Sequence, residues 1–267
     1  NRMFCGATAS RTRAVVDSGE SSMTNREFFT IASGGGGTSF GSCYNHRNGF
    51  ALGSQTRGVF GGGDDFSTYG INTIEFVTIS STGNASDFGD LTTARRQPGA
   101  TGSQTRGIFS GGEAPSHVNV IDFITIAQTG NAVDFGDLSV ARRVAGAASS
   151  PTRGLVFGGY ASPAALNTID FVTITTLGNA SDFDDISVAK YALQAVSSST
   201  RALAMSGYIP SPAAKVNTIE FVTIATLGNA TNFGDLTETV YAIQAVSNSI
   251  RGVRMGGAEI SADTTID

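Results

Sequence analysis

N-T-I-E-F-V-T-I at 72–79 returns as N-V-I-D-F-I-T-I at 119–126, N-T-I-D-F-V-T-I at 167–174 and N-T-I-E-F-V-T-I at 217–224. A degraded copy, T-N-R-E-F-F-T-I, occupies 24–31, and T-T-I-D stands at 264–267. The central Phe recurs at Phe28, Phe76, Phe123, Phe171 and Phe221, in steps of 48, 47, 48 and 50. Self-similarity at a fixed period marks a repeat architecture, and it has to be read before any single element.

Two further markers keep the same period. Arg followed by Gly or Ala occurs at Arg13, Arg57, Arg106, Arg153, Arg201 and Arg251. A glycine pair comes soon after most of these, as at Gly62-Gly63, Gly111-Gly112, Gly158-Gly159 and Gly256-Gly257. The third marker, G-N-A-x-D-F-G-D-L with variations, starts at Gly83, Gly130, Gly178 and Gly228. Each unit then reads as four short strands. The first is small and apolar (145–149), the second follows the Arg (154–157), the third is the quoted stretch, and the fourth carries D-F-G-D-L. β-branched and aromatic residues fill the third strand, and Gly, Pro, Asn and Ser fill the turns between. No stretch keeps a 3.6-residue period, so helix is expected to be nearly absent.

Composition agrees with a packed chain. Apolar residues make up 40% of the 267, with no Trp and two Cys, so a core is available without disulfide or metal staples. The net charge of −5 argues against a nucleic-acid partner. No run approaches the ~18 apolar residues of a membrane span, so no membrane insertion is expected.

Four strands per unit of about 48 residues predicts an all-β propeller. The order Arg, glycine pair, N-I-x-F, F-x-x-L and a closing Arg resembles the kelch repeat over essentially the whole chain. Kelch blades usually carry a fourth-strand Trp; Phe88, Phe135, Phe183 and Phe233 stand in its place. The resemblance implies a kelch-like propeller of about six blades. They run 2–45, 46–94, 95–141, 142–189 and 190–239, with a partial sixth at 240–267. Ring closure by residues outside the chain or by a partner is the expectation, since a propeller protects its edges by closing. The repeat wording is also similar to that of structural proteins of marine and cyanobacterial tailed phages, which implies a virion location.

Alternating strand direction sorts the loops onto two faces. Turns such as S-P-T-R-G and L-G-N-A share one face and barely vary. The second-to-third loops share the other face with the inter-blade linkers, and they differ in every copy: 64–71, 113–118, 160–166 and 208–216. Variation on one face of a constant scaffold predicts a binding surface. Its expected contacts are Asp64, Asp65, Tyr69, His117, Tyr160 and Tyr208, the tyrosines because a ring stacks on a sugar or anchors an interface.

The basic linker residues Arg2, Arg47, Arg95, Arg96, Arg142, Arg143 and Lys190 are expected to pair with carboxylates, with Asp90, Asp137, Asp185 and Asp235 as regular candidates. The marker Arg is expected to meet the third-strand acid: Glu75, Asp122, Asp170 or Glu220. Neither Asp182, Asp184 and Asp185 nor Asp64-Asp65 supplies a recognised calcium loop, so no metal is expected. The sequons at Asn84, Asn179 and Asn229 read as turn signals, because Asn131 holds the same turn without a following Ser or Thr. His46 and His117 have no metal-ligand spacing, and no nucleophile elbow stands between a strand and a helix. The expectation is therefore a non-enzymatic structural or interaction module without cofactor. Its partners would be other virion proteins or a host surface glycan. A secreted or cell-surface adhesion propeller is the alternative and a polysaccharide-active enzyme the third reading.

Overall fold

The computed structural model describes residues 6–17, 24–33, 36–44, 47–65 and 67–258. Arg2, His46 and the T-T-I-D at 264–267 lie outside them. The described chain is all strand and turn, and no helix in it is long and apolar enough to cross a membrane.

Five antiparallel sheets follow one another, four of them four-stranded and the last five-stranded. The first is β1 (Ala7–Ala9), β2 (Arg13–Asp17), β3 (Asn25–Thr30) and β4 (Thr38–Ser42). The second is β5 (Phe50–Gly53), β6 (Arg57–Gly61), β7 (Thr73–Thr78) and β8 (Ser86–Asp90). The third is β9 (Gly99–Gly102), β10 (Arg106–Ser110), β11 (Val120–Thr125) and β12 (Val133–Asp137). In the fourth, β13 (Gly146–Ser149) and β14 (Arg153–Phe157) precede a small hairpin of β15 (Tyr160–Ala161) and β16 (Ala164–Ala165). The sheet then resumes with β17 (Thr168–Thr173) and β18 (Ser181–Asp185). The fifth has β19 (Gln194–Ser197), β20 (Arg201–Met205), a short β21 (Tyr208–Pro210), and the long β22 (Ala213–Thr223) and β23 (Thr231–Val240). A two-stranded sheet, β24 (Gln244–Ser247) and β25 (Gly252–Met255), begins the sixth.

The sheets form a ring. Each innermost strand lies beside its counterparts in the flanking blades, in the order β1, β5, β9, β13, β19, β24, and β24 returns to β1. The structure is a β-propeller of five full blades, with the two inner strands of a sixth between the fifth and the first.

The repeated residues make this shape for identifiable reasons. Where the third strand meets the fourth, a β-bulge falls at the same place in every blade, as between Ile74 and Glu75 or Ile169 and Asp170. The bulge inserts one residue, the fourth-strand Phe, and bends the strand so that its ring faces the next blade. Phe88, Phe135 and Phe183 are buried there among apolar residues of the following third strand, such as Ile124 and Ile126, Val172 and Ile174, and Val222 and Ile224. Packing therefore runs between blades as much as within them.

Two polar devices join the blades where no β-ladder does. Near the axis, Ser149 Oγ donates to Gly102 O at 2.5 Å and Ser197 Oγ to Ser149 O at 2.7 Å. Ser247 Oγ donates to Ser197 O at 2.9 Å. At the rim, the Gly-Asn-Ala turn clasps the fourth strand of the preceding blade. The amide oxygens of Asn131, Asn179 and Asn229 accept from the N–H groups of Asp90, Asp137 and Asp185 at 3.0–3.1 Å. Asn84 Oδ1 accepts from Ser42 N in the same way, so the asparagine of this turn has an inter-blade role with or without a following Ser or Thr.

The ion pairs correct two expectations. Arg95, Arg142 and Lys190 do reach carboxylates, but those of the third strand: Asp122 at 2.8 Å, Asp170 at 3.1 Å and Glu220 at 2.8 Å. These carboxylates, buried in the blade, can also take donors from the preceding blade, as Asp122 does from Thr92 and Asp170 from Ser139. Asp90, Asp137 and Asp185 instead meet the neighbouring turn through their backbone. The marker Arg does not meet the third-strand acid. Its guanidinium lies 4.2–4.5 Å over the third-strand Phe in five blades. From Arg13, Arg57, Arg106 and Arg153 it also donates to the carbonyl of Ile79, Ile126, Ile174 or Ile224 in the next blade, at 2.7–2.9 Å. Strand pairing explains the difference: Arg57 faces Thr78 and Arg106 faces Thr125, three residues beyond the acid.

Candidate functional site

The linkers and the second-to-third loops meet in isolated bridges that repeat around one end of the ring. They pair Arg47 with Asp64, Arg96 with Glu113, Arg143 with Tyr160, Tyr191 with Tyr208 and Tyr241 with Ala258. Each linker residue stands ten before the marker Arg of its blade, and Arg96, Arg143 and Tyr191 directly follow the buried cations Arg95, Arg142 and Lys190. The next residue has a left-handed backbone in all five: Asn48, Gln97, Val144, Ala192 and Ala242, with φ of 50–56°. Backbone bonds from Gln97 N to Asn48 O, Val144 N to Gln97 O, Ala192 N to Val144 O and Ala242 N to Ala192 O, 2.8–3.2 Å, tie these residues into an arc. The bridged side chains are thereby held in one curved row.

Chemistry changes along that row. Over the second, third and fourth blades it is ionic. Arg47 Nε donates to Asp64 at 2.5 Å, Arg96 Nη2 lies 2.9 Å from Glu113, and Arg143 Nη1 lies 3.7 Å from Glu113. From the second-to-third loop of the third blade onward to the sixth blade it is aromatic. His117, Tyr160, Tyr191, Tyr208 and Tyr241 follow one another with ring centroids 5.7, 5.3, 5.5 and 5.5 Å apart. These tilted and edge-to-face arrangements are the favoured ones for aromatic pairs. Tyr160, Tyr191 and Tyr241 rest on Val144, Ala192 and Ala242. Arg143 lies 5.6 Å over Tyr160 at one end and Lys215 lies 5.6 Å over Tyr241 at the other. Burial pushes the Tyr191 phenol above its ordinary range, and the neighbouring tyrosines add to this against Arg143. The arc carries a cation near each end.

The six residues named from sequence fall into different environments. Tyr160 and Tyr208 belong to the row's aromatic half and flank Tyr191 on its two sides. His117 joins through its ring, and its Nδ1 accepts from Ser162 N at 3.2 Å. Burial holds the His117 pKa below the ordinary histidine value, with Glu113 opposing and Arg143 reinforcing the shift. Asp64 is 2% exposed and binds Arg47 and Asn48, so its carboxylate belongs to the scaffold. Asp65 is half-buried and caps its own loop, accepting from Ser67 and Thr68, whose hydrogen bonds hold its pKa low. Tyr69 lies apart from the arc under Arg96, which donates to its hydroxyl at 3.0 Å.

Tyr191 and Tyr241 escaped the sequence reading. Their signal was present: aligned on the marker Arg, they occupy the position held by Arg47, Arg96 and Arg143. An Arg-to-Tyr change at one repeat position is visible without a structure, but its significance depends on the loop tyrosines lying alongside. Among the described residues no cluster of three or more His, Cys, Asp or Glu side chains has metal-binding geometry. No protein-family profile matches the chain, and no curated protein shows significant similarity to it.

Proposed function

We propose that this propeller is a non-catalytic binding module whose working surface is the tyrosine arc, and that its ligand is a glycan. The observation that carries the reading is the row Tyr160, Tyr191, Tyr208, Tyr241. Four half-buried rings share one face with the variable loops. Such rings offer apolar faces to the C–H side of a sugar and hydroxyls to its rim, with little entropy lost because they are already packed. Arg143 and Lys215 at the two ends favour a chain carrying carboxylate or sulfate groups.

The setting we propose is a tailed-phage virion, as a tail fibre, appendage or decoration with kelch-like blades. The similarity of the repeat wording to phage structural proteins supports it, as does the order of Arg, glycine pair and fourth-strand aromatic. A docking role toward another virion protein would use the same arc. Screening the chain against neutral and acidic polysaccharides tests the first part, with binding and product release measured together. Binding without new reducing ends is expected; turnover would overturn the non-catalytic reading. Mass spectrometry of purified virions tests the second, since recovery in a cell-surface fraction instead would favour a bacterial adhesion protein.

A further inference from the structure

Charge is unevenly matched along the curved row. The bridges set Arg47 beside Asp64 and Arg96 beside Glu113, but Arg143 beside Tyr160. The first two arginines are answered by carboxylates. Arg47 Nε donates to Asp64, and Arg96 donates to Glu113 through Nε and to the Tyr69 hydroxyl through Nη2, both at 3.0 Å. Glu113 is thereby committed to Arg96, and it stands 3.7 Å from both Arg143 and His117. Arg143 keeps a neutral partner, Gln97 Oε1 at 2.7 Å from Nη1, while its Nε has no hydrogen-bond partner among the described residues. Its side chain is 27% exposed, so the guanidinium is within reach of a ligand.

Resting on the glycan reading above, we infer that Arg143 is the charge-reading residue of the tyrosine arc, and that the arc takes an acidic glycan whose charged sugars are separated by uncharged ones.

The Arg143 guanidinium lies 5.6 Å over Tyr160, so an anion paired with it sits at the first tyrosine of the row. A carboxylate or sulfate there supplies the acceptor that Tyr160 does not, and a planar guanidinium suits it. Tyr191 and Tyr208 come next, with ring centroids 5.3 and 5.5 Å along the row, and Tyr191 rests on apolar Val144 and Ala192. A charged sugar over these rings would give up water without meeting a cation, which is costly; a neutral sugar escapes that cost. The next described cation along the row is Lys215, 5.6 Å over Tyr241. The surface therefore matches an anion, an uncharged stretch and a second anion. A uniformly charged polymer also meets the chain's net charge of −5, which repels it.

Calorimetric titration of the full 267-residue chain with size-matched oligosaccharides tests this. The probes are hyaluronan, whose uronate alternates with an uncharged amino sugar, polygalacturonate, charged at every unit, and uncharged maltodextrin. Hyaluronan is expected to bind most tightly and to weaken as salt is raised. Arg143→Gln should weaken it by about 10-fold or more, the loss of one charge-assisted contact, and should flatten the salt dependence. Arg143→Lys keeps the charge and should retain that salt dependence. Polygalacturonate binding as tightly as hyaluronan would overturn the inference, as would hyaluronan binding unchanged in Arg143→Gln. Maltodextrin binding as tightly as hyaluronan, and lost in Tyr191→Ala, would overturn the charge pattern while leaving the glycan reading intact. Failure of all three to bind would overturn both.

Discussion

Asp184 has a φ of 147°, at the position where Gly89, Gly136 and Gly234 stand in other blades. Glycine suits it for two reasons. Its backbone region is one that L side chains rarely adopt, and a Cβ at Gly136 would lie 2.5 Å from the carbonyl of Gly178 in the next blade. A strained non-glycine residue costs about 1–3 kcal/mol. Asp184→Gly should therefore stabilise the protein, raising the melting temperature by several degrees at roughly 2–4 °C per kcal/mol. Gly136→Ala should lower it, and paired thermal melts of the two variants check both signs. Glu220 makes a pH-dependent prediction. Burial pushes its carboxyl up, but Lys190 at 2.8 Å and hydrogen bonds from Ser187 outweigh this and hold it below the ordinary value. A depressed folded value means that its stabilisation is full above the unfolded pKa of ~4.3 and is lost as pH falls through the folded one. Glu220→Gln should thus be less stable than the parent at pH 7, with the gap narrowing in acid, as urea unfolding at both pH values would show.

At the scale of strands, the axial serines have a measurable role. Ser197 Oγ donates to Ser149 O, and the same oxygen accepts from Ser149 N at 3.2 Å. Ser197→Ala removes both links between β13 and β19 and should cost about 1–2 kcal/mol, taking each bond at roughly 1 kcal/mol. Hydrogen exchange of the Ser149 amide should quicken with it. The strands, their order and the two loop faces were legible in the sequence, because N-T-I-E-F-V-T-I and its neighbours recur with one period and one burial pattern. The ion-pair partners were not. Period alone places Arg142, Asp137 and Asp170 in register but is silent on which side of the sheet each faces, and the bulge beside Asp170 shifts that alternation. Arg26 shows the same limit. It is buried in the most degraded repeat and binds Asp17 at 2.5 Å together with Glu75 of the next blade, an arrangement that no other copy of the repeat prefigures. The site was half legible: Tyr160 and Tyr208 stand out in variable loops, whereas Tyr191 and Tyr241 lie in linkers otherwise read as basic.

At the scale of the molecule, the ring has a uniform interior and an uneven upper face. Repeated Phe, Ser, Asn and ion-pair positions build nearly equal blades, and the bridge positions on that scaffold vary from Arg47 and Asp64 to Tyr208 and Tyr241. The tyrosine arc is the account's functional claim, and the composition makes it directly observable. The chain has no Trp, and four of its six Tyr lie in the arc, so tyrosine emission reports mainly on that surface. Emission should change saturably as an acidic polysaccharide is titrated in, and Tyr191→Ala with Tyr241→Ala should abolish both the change and the binding. Binding that leaves the emission unaltered and persists in the double variant would contradict the claim.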